Sequence, residues 1–206
     1  MKRVFLLLLV SSFLLVSCSS TKVNRVWQDK NYKGGPFTNI LVVSSFLDGE
    51  VGRMSEILLA RSLRKKGISA SAGHVVLPSG SRASVEAITT AIGEHAFDGV
   101  LISRLVDKFD ETQVVAKSAC FNRWDSDYRK SERHSLSPCQ PGSRTRVTAV
   151  YGVETKLYSA DNRELVMSFS SKTTTDRPSN ELIKGFVAAV VDNLSRAGLL
   201  SGPGVN

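Results

Sequence analysis

From Val4 to Val16 the chain reads VFLLLLVSSFLLV, a largely apolar run that stops at Ser17, Cys18, Ser19 and Ser20. A membrane-spanning helix needs roughly 20 such residues, so this run is too short to cross. Beyond it the pattern turns polar. Ser19 to about Lys30 reads as a short tether, and WQDKNYKGGPFTN sets Trp27, Tyr32 and Phe37 among turn residues. Gly34-Gly35-Pro36 breaks any helix, which predicts an irregular arm. Its aromatics either lie down on the domain or form an exposed ligand platform.

Regular periods begin at NILVVSSF. This β-branched apolar run predicts a buried strand over Ile40 to Ser45. In GEVGRMSEILLARSLRKKG, Met54, Ile57, Leu58, Ala60 or Arg61, and Leu63 recur at helical spacing. Arg64, Lys65 and Lys66 fill the last turn, where cations suit the helix dipole, and Gly67 stands where a C-terminal cap belongs. ISASAGHVV reads as a second strand. SRASVEAITTAIGEHAF reads as a second helix, capped near Ser81 or Ser84. GVLISRLVDKFDETQVVA reads as a third strand over Gly99 to Val115. Strand, helix, strand, helix, strand with short links predicts a parallel sheet with right-handed crossovers.

KSACFNRWDSDYRKSERHSLSPCQPGS has no period. After it the period is two: Val147, Ala149, Tyr151, Val153, Thr155 and Leu157 share one face, as do Leu165, Met167 and Phe169, with SADNR as the turn. This predicts an antiparallel hairpin with one buried face. PSNELIKGFVAAVVDNLSRAGLL reads as a final helix with Pro178 at its start and an apolar stripe through Leu182, Ile183, Phe186, Ala189, Val190 and Leu194; Gly198 ends it. The expected fold class is a single α/β domain, β-α-β-α-β-β-β-α, with helices on a mixed sheet of about five strands. Its expected boundaries are a leader over 1–17, a tether and arm over 18–36, the domain over 37–200 and a tail over 201–206.

Composition fits a globular chain of 206 residues, 42% hydrophobic and 22% charged, with a formal net charge of +8. Lys2 and Arg3 precede the apolar run and small residues follow it, the order of regions in an export signal. Leu15-Val16-Ser17-Cys18 resembles the lipobox of bacterial lipoproteins. That resemblance implies a diacylglyceryl group on the Cys18 sulfur, cleavage before Cys18, and membrane anchoring by acyl chains worth roughly 0.8 kcal/mol per buried CH2. Ser19, rather than Asp, points to the outer membrane. Nucleic acid is excluded as a partner by compartment. A basic envelope domain can meet anionic lipid, lipopolysaccharide phosphate or peptidoglycan carboxylate, although the same charge also serves solubility.

Export puts Cys120 and Cys139 in an oxidising space, where thiols pair. Their bond would close a loop of about 20 residues, worth about 3 kcal/mol in the chain-entropy model. A metal site using His134 is the competing reading, but Cys-x13-His-x4-Cys matches no common zinc spacing. No cofactor is implied. G-x-G-x-x-G, G-x4-G-K-[ST] and G-x-S-x-G are all missing, and His74, His95 and His134 lie at no metal-ligand spacing. His74 reads as a strand residue and His95 as a helix end. Arg123, Arg129, Lys130, Arg133, Arg144 and Arg146 interleave with Phe121, Trp124 and Tyr128. Guanidinium with aromatics suits an anionic or sugar surface, so Arg123, Trp124, Tyr128, Arg129 and Arg133 form a candidate anionic-ligand site. The alternative is a solvated loop.

Trp27-x-Asp29-x-x-Tyr32, then Gly35-Pro36-Phe37 and ILVV, resembles an uncharacterised family of bacterial envelope lipoproteins, as do DGVLISRLVD and VETKLYSADNRELVMSFSSKT. The likeness runs from about Trp27 to Leu200 and its motifs look structural. The fold also looks similar to the amino-terminal domain of TolB. The resemblance implies a lipid-anchored envelope protein, with no activity to carry over. The expected role is non-enzymatic binding of a protein or envelope polymer in assembly or maintenance; the alternative is an envelope hydrolase acting on cell-wall material.

Overall fold

The computed structural model describes residues 20–46, 48–78, 84–116, 143–175 and 179–201. In chain order these form β1 (Ser20–Gln28), β2 (Asn39–Ser45), helix α1 (Gly49–Lys65), β3 (Ser69–Ala72), a short helix α2 (Gly73–Val76), α3 (Val85–His95), β4 (Gly99–Ala116), β5 (Ser143–Ser159), β6 (Leu165–Thr175) and α4 (Ser179–Arg196). Six strands make one mixed sheet in the order β1-β6-β5-β4-β2-β3. β2, β3 and β4 are parallel, whereas β4·β5, β5·β6 and β1·β6 are antiparallel. The expected α/β class holds, with one strand more than the sequence suggested.

β2 is buried on both faces, which is why it reads as an unbroken apolar run. Ile40 and Val42 join the larger core beneath α1 and α4, whereas Leu41 and Val43 join a second core beneath α3. The two cores put α1 and α4 on one face of the sheet and α3 on the other. Asp48 caps α1 by accepting from the backbone N–H of Glu50 and Val51, and Ser84 caps α3 by accepting from that of Ala87. Gly67 takes φ +83° just past α1, in the left-handed region where a Cβ would be strained. Gly99 is needed for space: a Cβ there would lie 2.6 Å from the Phe37 ring.

Three sequence expectations are corrected. The segment read as a polar tether carries β1, in register with β6 from Ser20↔Thr174 to Gln28↔Met167. Its local signal is weak because an edge strand needs apolar residues on one face only; the ladder to β6 supplies the rest. Second, the buried face of α1 is Gly52, Ser55, Glu56, Leu59, Ala60 and Leu63. Met54 and Ile57, read as part of the stripe, are exposed, because the helix turns Glu56 inward. Third, the second strand stops at Ala72, and His74 stands in α2 rather than in a strand. In the arm, Tyr32 stacks on the buried Phe37 at 5.6 Å, while Trp27 stays 48% exposed. Pro178, read as the start of the last helix, lies outside the described residues.

Candidate functional site

The chain leaves β2, crosses by α1 to β3 on one side, then returns by α3 to β4 on the other. In such sheets ligands bind beyond the carboxyl ends of the strands at that reversal. A cavity of about 250 Å³ lies there, lined by Phe46 just after β2, Val51 and Ser55 of α1, Leu105 of β4, Val153 of β5 and Phe186 of α4, with Asp48, Lys108, Tyr151, Thr173, Leu182 and Ile183 completing its wall. Phe46 and Phe186 meet edge to face at 6.3 Å. The Lys108 ammonium sits 5.6 Å from the centre of the Tyr151 ring. Asp48 and Lys108 are both exposed, so the apolar cavity has a charged rim. An apolar chamber with a few polar groups is the usual form of a small-ligand site.

A wider trough of about 790 Å³ opens at the opposite end of the sheet, beside Tyr32, Lys33, Asp98, Asp161, Asn162 and Glu164. Its best-placed carboxylate is already engaged. Asp98 accepts from the Thr38 N–H at 2.6 Å, the Thr38 hydroxyl at 2.7 Å and the Asn39 N–H at 3.0 Å. Burial, and then the Asp98 charge, raise the Tyr32 phenol above its ordinary 10.0.

The chemistry that sequence reading missed is a buried carboxylate. Glu56 is fully buried. Its Oε1 accepts from the Ser44 N–H at 2.9 Å, and its Oε2 accepts from the His74 N–H at 2.8 Å and from His74 Nδ1 at 2.8 Å. An ionised Glu56 only accepts, and that contact then requires the ring proton on His74 Nδ1. Gly73 lets these segments close: a Cβ there would be 3.0 Å from the Val42 carbonyl and 3.3 Å from Glu56 Oε1. One side chain thus ties the end of β2, the middle of α1 and the first turn of α2. Only a polar residue inside an apolar stripe could have signalled this, and that is an ambiguous signal.

His95 ends α3 as expected; its carbonyl accepts from the Asn39 side chain and its ring lies 5.7 Å from Phe97. The Trp27-x-Asp29-x-x-Tyr32 motif builds a turn: Asp29 accepts from the Asn31 N–H at 2.8 Å, and the Asp29 N–H donates to the Val166 carbonyl. Cys18, Cys120, Cys139, Arg123, Trp124, Tyr128, Arg129 and Arg133 lie outside the described residues. Among the described residues no group of three His, Cys, Asp or Glu side chains could hold a metal, and no helix is long and apolar enough to cross a membrane.

Fold and site together define a mixed-sheet α/β domain with an apolar chamber at its topological reversal. No family model matches the chain, and no curated protein does. Among solved structures it is similar to the PelC dodecamer from Paraburkholderia phytofirmans, with a TM-score of 0.44 and 15% identity over 82% of this chain and 96% of that one. It is likewise similar to lipoprotein GNA1162 from Neisseria meningitidis, with a TM-score of 0.44 and 16% identity over 77% of this chain and 99% of that one. Likeness at this distance carries no argument about what this chain does.

Proposed function

We propose that the chain is a bacterial envelope lipoprotein, acylated on Cys18, whose domain binds a protein or envelope polymer on the periplasmic side, at the outer membrane. The carrying observation is the order Lys2-Arg3, apolar run, Leu15-Val16-Ser17-Cys18. β1 (Ser20–Gln28) fits it, since a strand of the sheet then lies two residues after Cys18 in the chain. The resemblance in Trp27-x-Asp29-x-x-Tyr32 and the following strand belongs to the same reading. So do a Cys120–Cys139 bond and an anion-binding role for Arg123, Trp124, Tyr128, Arg129 and Arg133.

The binding role is preferred to hydrolysis because both oxygens of Glu56 are engaged with backbone N–H groups, which makes the Glu56–His74 pair a clamp. Palmitate labelling tests the anchor: label on the wild type should vanish in Cys18→Ala, which should leave the membrane fraction, and label persisting in Cys18→Ala refutes it. Crosslinking in cells, read by mass spectrometry, tests the role. A recurrent protein or polymer adduct supports binding; turnover of cell-wall material that is lost in His74→Ala supports the hydrolase.

A further inference from the structure

We infer that the apolar cavity between α1, α4 and strands β4 to β6 receives one fatty acyl chain carried by Cys18. The inference rests on the lipid-anchor reading above. Three observations lead to it. The first is reach. Thr21 Oγ1 lies 3.0 Å from Thr173 Oγ1, and Thr173 lines the cavity. Cys18 is three residues before Thr21, a span of about 10 Å at most. An acyl chain on its sulfur therefore has about 10 Å at most to cross before it reaches Thr21 beside the chamber.

The second is capacity. A cavity of about 150 Å³ accommodates benzene, six carbons. At about 250 Å³ this one takes about ten carbons of a single chain, and not a whole diacylglyceryl group. The third is chemistry. Phe46, Leu105, Leu182, Ile183 and Phe186 give walls suited to methylenes, and the exposed charges, Asp48 and Lys108, stand at the rim. One chain withdrawn from the anchor leaves the others for the bilayer and holds the domain with this end toward the membrane.

The test compares two forms of the protein. One is the acylated chain in lipid nanodiscs. The other is the full mature chain carrying Cys18→Ser, exported through an ordinary cleavable leader. The probe is decanoate labelled with 13C at its methyl group, followed by NMR. The Cys18→Ser chain should bind one equivalent, and the acylated chain at least tenfold more weakly because its own lipid fills the site. Val153→Trp, placed in the Cys18→Ser chain, should abolish decanoate binding; Ser55→Leu, which narrows the cavity from α1, should weaken it if the Trp variant fails to fold. The unmodified pair needs neither variant. No binding by the Cys18→Ser chain overturns the proposal. So does equal binding by both forms, which would assign the cavity to a partner's apolar side chain or a free lipid. Mass spectrometry separates the two readings: absence of lipid on Cys18 sinks the anchor and this inference together, whereas lipid present with equal decanoate binding sinks this inference alone.

Discussion

At the scale of single residues, Glu56 ties three separate segments together. A buried charge persists only where hydrogen bonds replace its water, and here the Ser44 N–H, the His74 N–H and His74 Nδ1 do so. Glu56→Ala leaves two backbone donors and a ring donor without an acceptor, and should lower unfolding free energy by about 3–5 kcal/mol in urea titration. His74→Ala removes only the ring and should cost about 1 kcal/mol. A reversed order would mean that the carboxylate answers mainly to the imidazole. Tyr32 offers a second residue-scale expectation. Burial, helped by Asp98, raises its folded pKa above 10.0. The folded state then holds the phenolic proton longer than the unfolded one, so stability is intact below pH 10 and falls as pH rises through that value. In alkaline difference absorbance between wild type and Tyr32→Phe, the missing phenol should titrate above 10.

Elements show where local pattern decides structure and where pairing does. β2, β4, β5 and α4 were legible because their apolar periods reflect burial directly, on both faces for Ile40 to Val43 and on one for Val153, Thr155 and Leu157. β1 was not, since STKVNRVWQ carries only Val23, Val26 and Trp27, and Val26 is 52% exposed. Its order comes from Thr21, Val23 and Asn24 facing Thr173, Ser171 and Ser170 across the ladder. A β1 that belongs to the sheet has a measurable consequence. A chain beginning at Lys30 should lose several kcal/mol in urea titration and expose the β6 edge to aggregation, whereas a mere tether could be removed at no cost. The rotated face of α1 was hidden for a similar reason: Glu56 is buried by partners 12 and 18 residues away, a distance no periodicity reports. Gly99→Ala provides an independent check on the packing of the arm. Its Cβ would press on Phe37, and overpacking of this kind costs about 1–3 kcal/mol.

For the whole molecule, direction matters. β1 and β5 run opposite to the other four strands, so Ser20, the ends of β2, β4 and β6, and the apolar chamber lie toward one end of the sheet. Beyond the last β5·β6 pair, Ala149↔Thr175, β4 and β5 stay paired for six more residues, to Ala116↔Ser143, about 20 Å at strand rise. The candidate site residues read from the sequence, Cys18 and the basic aromatic stretch between Cys120 and Cys139, flank β1 and the β4–β5 pair in the chain, whereas the chamber was invisible because β2, α1, β4, β5, β6 and α4 assemble it. An anchored domain should therefore sit end-on. In proteoliposomes, Lys108 should be shielded from an amine-reactive label relative to detergent, while Lys33 at the far end should react equally in both. Equal shielding of the two would rule out end-on seating.

The course of β1 also has a mechanical meaning. Traction entering through the residues before Ser20 acts along the strand, parallel to its neighbour β6, and not across it. The rungs from Ser20↔Thr174 to Gln28↔Met167 are then loaded in shear, all sharing the force, instead of parting one at a time like a zip. A nine-residue edge strand so oriented acts as a fixing strap, and a pull on the residues before it must break many bonds together before it can peel the fold open.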